Sequence, residues 1–125
     1  MRLVLTILLI ILNSAPGFGQ EAVFFCKQST YKFPKTKEGV QLEHHFTVVN
    51  TGKKPLIISD YKVQCTCTKV YLPKEPIAPG KSAEINVTFD SEGKSYYQDR
   101  IIDLTTNTKR KTEKLRFKVY IEPKH

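Results

Sequence analysis

Apolar and polar residues alternate in several separate stretches of this chain, and this pattern restricts its fold more than any other feature. Three apolar residues alternate with polar ones between Ile85 and Asp90, and the same period of two recurs within 40–50, 102–106 and 115–121. A period of two places successive side chains on opposite faces of a β-strand. No stretch of the domain shows sustained helical periodicity, so we predict an all-β fold.

Turn-forming residues separate these stretches. Asn50-Thr51-Gly52 follows the alternation at 40–50 and supplies a turn, in which Gly52 is free to adopt positive φ. Pro79-Gly80 fits the two central positions of a type II turn, the second of which requires positive φ. About seven short strands in a domain of about a hundred residues are typical of an immunoglobulin-like β-sandwich. The chain has no Trp and no cysteine pair placed to bridge two central strands, so we do not expect an antibody-type core.

The alternation also predicts which side chains face the core. The inward positions of five predicted strands are apolar, and they form the predicted core: Phe46, Val48, Ile58, Ile85, Val87, Phe89, Ile102, Leu104, Phe117 and Val119. Because adjacent strand residues point to opposite faces, His44 should be more buried than its neighbour His45.

The amino terminus has the composition of a secretory signal peptide. Arg2 precedes about ten mostly apolar residues, Leu3–Leu12, and small residues follow as far as Gly19. The apolar run is about half the length that spans a bilayer, so we expect no integral membrane anchor in the mature chain. We therefore predict a signal peptide at 1–19, one domain at 20–125, and a protein that is exported, either periplasmic or secreted.

The charge distribution bears on the class of partner. The formal net charge is +8 at pH 7, and Lys and Arg are scattered along the chain with one local cluster at 109–111. A nucleic-acid-binding domain concentrates basic residues on one face among aromatic side chains, so nucleic acid is not an expected partner. The basic residues are expected to form a solvated surface, with at most weak attraction for acidic polysaccharide or anionic lipid headgroups.

A set of short motifs in a fixed order resembles one protein family. The motifs are Phe46, Asn50-Thr51-Gly52, Pro55-Leu56-Ile57-Ile58, Cys65-Thr66-Cys67-Thr68, Ile77-Ala78-Pro79-Gly80, a strand ending Phe89-Asp90, and Thr106-Asn107. Together they resemble the bacterial domain of unknown function fifteen seventy-three. The resemblance implies an immunoglobulin-like sandwich, similar to the abnormal-spindle, hydin and major-sperm-protein domains, in an exported bacterial protein. Thr66 stands where that family usually has Gly, which would be costly if the turn required positive φ.

The three cysteines leave several interpretations open. Cys65 and Cys67 could be buried structural side chains, or they could hold a soft metal such as Cu(I) or Zn(II). Alternatively, any two of the three cysteines Cys26, Cys65 and Cys67 could form a disulfide. A metal site would need Cys26, His44, His45 or a second molecule to complete it. We expect Cys65 and Cys67 to lie close together at the end of the strand that begins at Leu56, with Cys26 within reach of one of them.

No catalytic constellation stands out in the sequence. A Cys–His nucleophilic site would need an adjacent base, which the spacing does not provide, and neither a calcium loop nor a phosphate-binding loop is present. We therefore predict a protein that is not an enzyme and has no cofactor. The favoured function is an exported module that binds or scaffolds an unknown protein partner in the bacterial cell envelope. The alternative is a periplasmic thiol-redox or copper- or zinc-handling protein that uses Cys65 and Cys67.

Overall fold

The structure is a computed structural model that describes residues 20–125, so the predicted signal peptide at 1–19 lies outside the described residues. It contains nine strands: β1 (Phe24–Phe25), β2 (Thr30–Lys32), β3 (Thr36–Lys37), β4 (Gln41–Asn50), β5 (Ile58–Val63), β6 (Thr68–Tyr71), β7 (Ser82–Asp90), β8 (Tyr96–Thr106) and β9 (Thr112–Glu122). Over the described range, we find no helix long and apolar enough to cross a membrane.

The strands form two sheets that pack face to face. The first sheet has the order β1-β4-β7-β6, and the second has the order β2-β9-β8-β5, with β3 also paired to β9. The predicted all-β, immunoglobulin-like sandwich is therefore confirmed. The strands β3 and β6 were not predicted, because β3 contains no apolar residue and β6 contains a single aliphatic residue, Val70.

Residues 20–37, which we call the leading chain, cross from one sheet to the other. Phe24 and Phe25 pair antiparallel with the end of β4. The chain then turns, and β2 runs parallel to β9 in the second sheet. Pro34, which has no N–H to donate, follows β2, and the chain resumes its pairing with β9 only at Thr36. As a result β1 covers only a short part of β4.

The core lies between the two sheets. All ten predicted core residues are buried, which confirms the register derived from the alternation. The rings of Phe89 and Phe117 meet across the sheets with their centroids 5.1 Å apart. Seven further apolar residues are buried with them: Ala22, Phe33, Leu56, Val70, Ile77, Leu115 and Ile121.

The turn at Pro79-Gly80 has the predicted conformation. Gly80 has a φ of +77°, and the Lys81 N–H donates to the Ala78 carbonyl at 3.0 Å. This hydrogen bond closes a four-residue turn in which Pro79 sets φ at the first central position and Gly80 accepts positive φ at the second. The turn delivers the chain into β7.

Gly52 is required for a reason other than the predicted one. It is not among the residues with positive φ. A Cβ atom added to Gly52 would lie 2.0 Å from the Glu21 carbonyl oxygen and 2.7 Å from the Val23 nitrogen. The freedom of glycine to adopt positive φ is therefore not used here, and the missing side chain instead lets the leading chain pass directly over the Asn50–Lys53 corner.

The Asn50 side chain joins three segments of that corner. Its Oδ1 accepts hydrogen bonds from the N–H groups of Gly52 (2.9 Å) and Val23 (3.2 Å). Its Nδ2 donates to the carbonyl oxygens of Lys54 (2.7 Å) and Ile77 (2.8 Å). Asn50 is fully buried, and these four bonds use both amide protons and both lone pairs of the side chain. The predicted turn motif is thus a hydrogen-bonded junction between β4, the leading chain and the segment before β7.

Candidate functional site

The strand β4 has one edge that is largely unpaired. On one side β7 pairs with it continuously from Gln41 to Val49, without a register shift. On the other side β1 pairs with Val49 and Asn50 only. Within residues 20–125, the segment 41–48 therefore has no partner strand on that side, and we call this segment the β4 edge.

The direction of the main-chain groups along β4 follows from its hydrogen bonds. The Asn50 N–H donates to the Lys81 carbonyl, on the side of β7 (2.9 Å). The Thr51 N–H donates to the Val23 carbonyl, on the opposite side (3.2 Å). Because these directions alternate in an antiparallel ladder, Glu43, His45 and Thr47 direct their N–H and C=O groups to the unpaired side.

An apolar groove runs beside the β4 edge. Its volume is about 380 Å³, and the chain segment that leaves β1 forms its other wall. Its lining includes Phe25, Cys26, His44, Phe46 and Val49, together with the polar residues Lys27 and Gln28 of the segment that leaves β1. Phe25 is 49% exposed, whereas Phe46 is buried, so the groove leads from solvent to the margin of the core.

His44 lies at the margin of the core and stacks on aromatic rings. Its ring lies parallel to that of Tyr31, with centroids 3.7 Å apart, and meets the ring of Phe46 edge to face at 4.6 Å. Burial, with a smaller contribution from the charge of His45, lowers the pKa of His44. The neutral imidazole is therefore the form that this aromatic environment favours.

His45 points to the outer face of the first sheet and is exposed, so the predicted difference in burial between the two histidines is confirmed. Its Nδ1 contacts Asn86 Oδ1, and its Nε2 lies 3.2 Å from a carboxylate oxygen of Glu43. The hydrogen bond to Asn86, followed by the charges of Glu43 and Glu84, raises the pKa of His45.

We expect the two histidines to titrate on opposite sides of the ordinary histidine pKa, about 6.5. His44 has a lowered folded-state pKa, so its full contribution to the free energy of unfolding is present above about pH 6.5, and this contribution is lost as the pH falls through the folded-state pKa. His45 has a raised folded-state pKa, so its contribution is complete below about 6.5 and is lost as the pH rises through the folded pKa. Side-chain NMR titration should show the lower midpoint for His44. Coincident midpoints would contradict this arrangement.

Sheet edges in natural proteins are usually protected against pairing by Lys, Pro, bulges, short length or inward charges. Two other edges of this sandwich carry such features. The edge strand β6 has four residues, one of them Lys69. The edge strand β5 has a register shift between Ile58 and Asp60 and contains Lys62.

The two remaining edges of the second sheet are also protected. The leading strands β2 and β3 are short, and Pro34 lies between them. The unpaired first half of β8 contains Arg100, whose guanidinium carbon lies 5.6 Å from the ring centroid of the buried Phe89. Its Nε is buried without a hydrogen-bond partner. An inward charge of this kind discourages strand addition, whereas 41–48 contains no Lys, no Pro and no bulge.

The absence of Lys and Pro from a long strand indicates an edge that is open to pairing, and the sequence-based prediction did not use this observation. The run from Gln41 to Val49 alternates like a strand but lacks Lys and Pro. Sequence reasoning assigned His44 and His45 to opposite faces, but it did not identify the main chain of Glu43 and Thr47 as a functional feature. The turn residues Asn50, Gly52, Pro79 and Gly80 come together at one end of β4, where they have structural roles.

Cys65 and Cys67 form a disulfide, with their Cα atoms 5.1 Å apart. They lie in the turn between β5 and β6, where the chain crosses from the second sheet to the first. The Thr68 N–H donates to the Cys65 carbonyl at 3.1 Å and closes this turn. Thr66 does not have positive φ, so the turn accommodates Thr at the position where the family that the motifs resemble usually has Gly.

Cys26 is free, and the expectation that it lies within reach of another cysteine is wrong. Phe25, the residue before Cys26, pairs with Val49 near one end of β4. The Cys67 carbonyl accepts a hydrogen bond from the Asp90 N–H, and Asp90 pairs with Gln41 at the other end of β4. The eight residue steps from Gln41 to Val49 along β4 correspond to about 26 Å. Burial raises the pKa of the Cys26 thiol. Among residues 20–125 there is no group of three or more His, Cys, Asp or Glu side chains that could hold a metal ion. The sulfur atoms of Cys65 and Cys67 are bonded to each other.

Solved structures with the same fold come from several kinds of protein. A protein of unknown function from Porphyromonas gingivalis W83 is 15% identical, with a TM-score of 0.71 over 86% of this chain and 50% of that one. The ASH/PapD-like domain 7 of human CEP192 is 12% identical, with a TM-score of 0.54 over 88% of this chain and 89% of that one. The E. coli chaperone DraB is 10% identical, with a TM-score of 0.55 over 82% of this chain and 56% of that one.

At these identities the likeness concerns the fold alone, and the chain spans about half the length of the Porphyromonas protein. A comparison with curated proteins found no match. The family model described as "Protein of unknown function (DUF1573)" matches residues 24–121, which include every strand from β1 to β8 and nearly all of β9. The chain therefore belongs to this family, as its motifs indicated.

Proposed function

We propose that this protein is an exported, non-catalytic module of the bacterial cell envelope that binds an extended segment of a protein partner along the β4 edge. The observation that carries the proposal is the long unpaired edge of β4, which lacks the protective features of the other edges. The signal-like composition of residues 1–19 supports export.

The β4 edge offers both components of recognition by strand addition. The N–H and C=O groups of Glu43, His45 and Thr47 supply main-chain hydrogen bonds, which give affinity to almost any extended segment. The groove beside Phe46 and Cys26 supplies a place for alternate side chains, which gives selectivity. An added strand would therefore be selected for apolar residues at every second position.

The outer face of the first sheet sets the chemistry of the other side chains of the partner. His45 lies there between Glu43 and Glu84, at 3.2 and 3.5 Å. This face is polar and carries two carboxylates close to the edge. A partner strand would thus place polar or basic residues outward and apolar residues inward.

Replacing Thr47 by proline is expected to abolish partner binding while leaving the domain folded. Proline removes an N–H that points to the unpaired side, where its loss does not break the ladder with β7. The matched variant Thr47→Val keeps this N–H and should retain binding. The measurement is site-specific photocrosslinking in cells from position 47, with Lys69 on the opposite edge of the same sheet as the reference position.

The expected result is a discrete crosslinked product from position 47 that is absent from position 69. A crosslinker at Glu43, on the same edge, should give this product in the chain with Thr47 and lose it when proline replaces Thr47. Thermal melts of both Thr47 variants serve as the control for folding. Crosslinking of equal strength from both edges, or a proline variant that retains the product, would contradict strand addition at β4. A product found only in the cytoplasmic fraction, on a chain that retains residues 1–19, would contradict export.

A further inference from the structure

Three tyrosine rings form a continuous exposed surface on the second sheet. We call Tyr96, Tyr97 and Tyr120 the tyrosine patch. Tyr97 and Tyr120 are paired across β8 and β9, with ring centroids 4.9 Å apart, and the centroids of Tyr96 and Tyr120 are 6.2 Å apart. Tyr97 is 79% exposed and Tyr96 is 58% exposed. Single exposed aromatic residues are common, but a contiguous group of this kind marks an interaction site.

A groove with a volume of about 610 Å³ borders the tyrosine patch. Its other wall is the segment between β2 and β3, which contributes Pro34 and Lys35. The Lys35 Nζ lies 5.6 Å from the centroid of the Tyr120 ring. The groove thus combines flat ring faces with an ammonium group at its rim.

The charge around the patch is predominantly positive. Lys32 and Lys118 are neighbours in the register of β2 and β9, and neither forms an ion pair among residues 20–125. The nearest carboxylate on β8, Asp99, is bound by Arg116 at 2.7 Å, and it also lies opposite Lys118 in the ladder, where it offsets part of the charge of that lysine. Glu122 offsets part of the charge of Lys35, at 4.0 Å. A ligand over the rings therefore meets an excess of ammonium groups.

The main chain holds the first ring of the patch in an unusual conformation. Tyr96 has a φ of +65°, one of two such non-glycine residues in the described chain. This conformation costs an L-residue roughly 1–2 kcal/mol. Strained residues of this kind cluster at binding sites, where the surrounding structure fixes the side chain in position.

We propose that the tyrosine patch and the adjoining lysines bind an acidic polysaccharide built of uronic acids. The apolar face of a sugar ring would stack on the exposed face of Tyr97, and the phenol hydroxyls would bond to sugar hydroxyls. The carboxylates would lie next to Lys32, Lys35 and Lys118, which match them in charge. This inference does not depend on the β4 edge, which lies on the other sheet.

Two features favour a polysaccharide over an acidic peptide. Between β8 and β9 the main-chain groups are bonded to each other, so a ligand on this face meets only side chains and cannot add as a strand. Protein interfaces are enriched in Arg and depleted in Lys, whereas the unpaired cations around the patch are lysines. A ligand that is recognised by stacking and point charges fits this surface better than a peptide does.

The test uses an alginate hexasaccharide as the acidic probe, cellohexaose as the neutral probe and hexaglutamate as the peptide probe, with binding measured by calorimetry at low salt. Tyr97→Ala and Lys35→Ala should each weaken alginate binding by about tenfold or more, the effect of losing roughly one stacking or charge contact. Tyr71→Ala and Lys69→Ala, on β6 of the first sheet, are the matched controls and should leave the affinity within about twofold.

Added salt should weaken binding of the wild-type protein, because exposed charges are screened. Equal losses in the patch and control variants would overturn the proposal, as would cellohexaose binding as tightly as alginate. Hexaglutamate that binds as tightly as alginate, and with the same dependence on Tyr97, would assign the patch to an acidic peptide instead. The Thr47→Pro variant should bind alginate like the wild type, so failure at one site is distinguishable from failure at the other.

Discussion

Replacing Asn50 by alanine should lower the free energy of unfolding by on the order of 4 kcal/mol, a large share of the stability of a small domain. The variant loses four hydrogen bonds at once. It also leaves the buried Gly52 N–H without this partner, and an unpaired buried donor costs more than the bond itself contributes. The Ile77 carbonyl keeps its hydrogen bond from the Leu56 N–H at 2.8 Å. Urea unfolding followed by circular dichroism measures the change.

Two companion variants separate this effect from the general cost of removing an asparagine. Asn86→Ala, on the outer face of the first sheet, should cost less than about 1 kcal/mol, because its contact is with the exposed His45. Asn50→Asp keeps the acceptor but loses both donated bonds and places a negative charge beside two carbonyl oxygens. It should be at least as unstable as Asn50→Ala. Similar stability in the Asn50→Ala and Asn86→Ala variants would contradict the role of Asn50 as a junction.

Replacing Gly52 by alanine should cost about 3 kcal/mol and detach the leading chain from the Asn50–Lys53 corner. The added methyl group would lie 2.0 Å from a main-chain carbonyl oxygen, which cannot move as a flexible side chain can. Two hydrogen bonds to the leading chain should be lost, from Lys53 N–H to the Glu21 carbonyl (2.8 Å) and from Thr51 N–H to the Val23 carbonyl (3.2 Å). Hydrogen exchange should show faster exchange at the amides of Thr51 and Lys53.

Gly93→Ala provides the comparison. Gly93 has a φ of +76°, and an added Cβ would meet nothing within 4 Å, so only the conformational cost of roughly 1–2 kcal/mol applies. The exchange of Thr51 and Lys53 should remain unchanged in this variant. If those amides also stay protected in Gly52→Ala, the close approach of the leading chain is not what requires glycine at position 52.

Local patterns were sufficient to predict the fold class and most of the core. The period of two in β4, β7, β8 and β9 depends only on the geometry of a single strand, so it correctly placed Phe46, Val87 and Phe117 inside and separated His44 from His45. The turn at Pro79-Gly80 was equally local, since proline fixes φ at the first central position and glycine accepts positive φ at the second without a steric cost. The strands β3 and β6 were missed, because β3 has no apolar residue and β6 has only one aliphatic residue, Val70, to indicate a buried face.

The Asn50–Gly52 corner shows where local reasoning reaches its limit. The residue types indicated a turn, and a turn is present. The requirement for glycine, however, comes from Glu21 and Val23, about thirty residues earlier in the chain. Only the packing of the leading chain over the corner reveals which atoms a Cβ would meet. The same packing supplies Asn50 with one of its four partners, the Val23 N–H.

The cysteines illustrate the same limit. A separation of two residues keeps Cys65 and Cys67 near each other in almost any local conformation, and the turn between β5 and β6 brings their Cα atoms to 5.1 Å. The distance to Cys26 depends instead on which end of β4 each segment adjoins. Sequence separation carries no information about that choice.

The sequence alone determined the faces of the strands, the turn chemistry and the family motifs, because each depends on residues that are neighbours along the chain. The tertiary structure alone decided which strand has an unpaired edge and which surface residues meet. The β4 edge exists because the leading chain leaves the first sheet after Phe25, and the tyrosine patch exists because the pairing of β8 with β9 places Tyr97 opposite Tyr120. Strand order and register arise from packing between distant segments, so no local pattern encodes them.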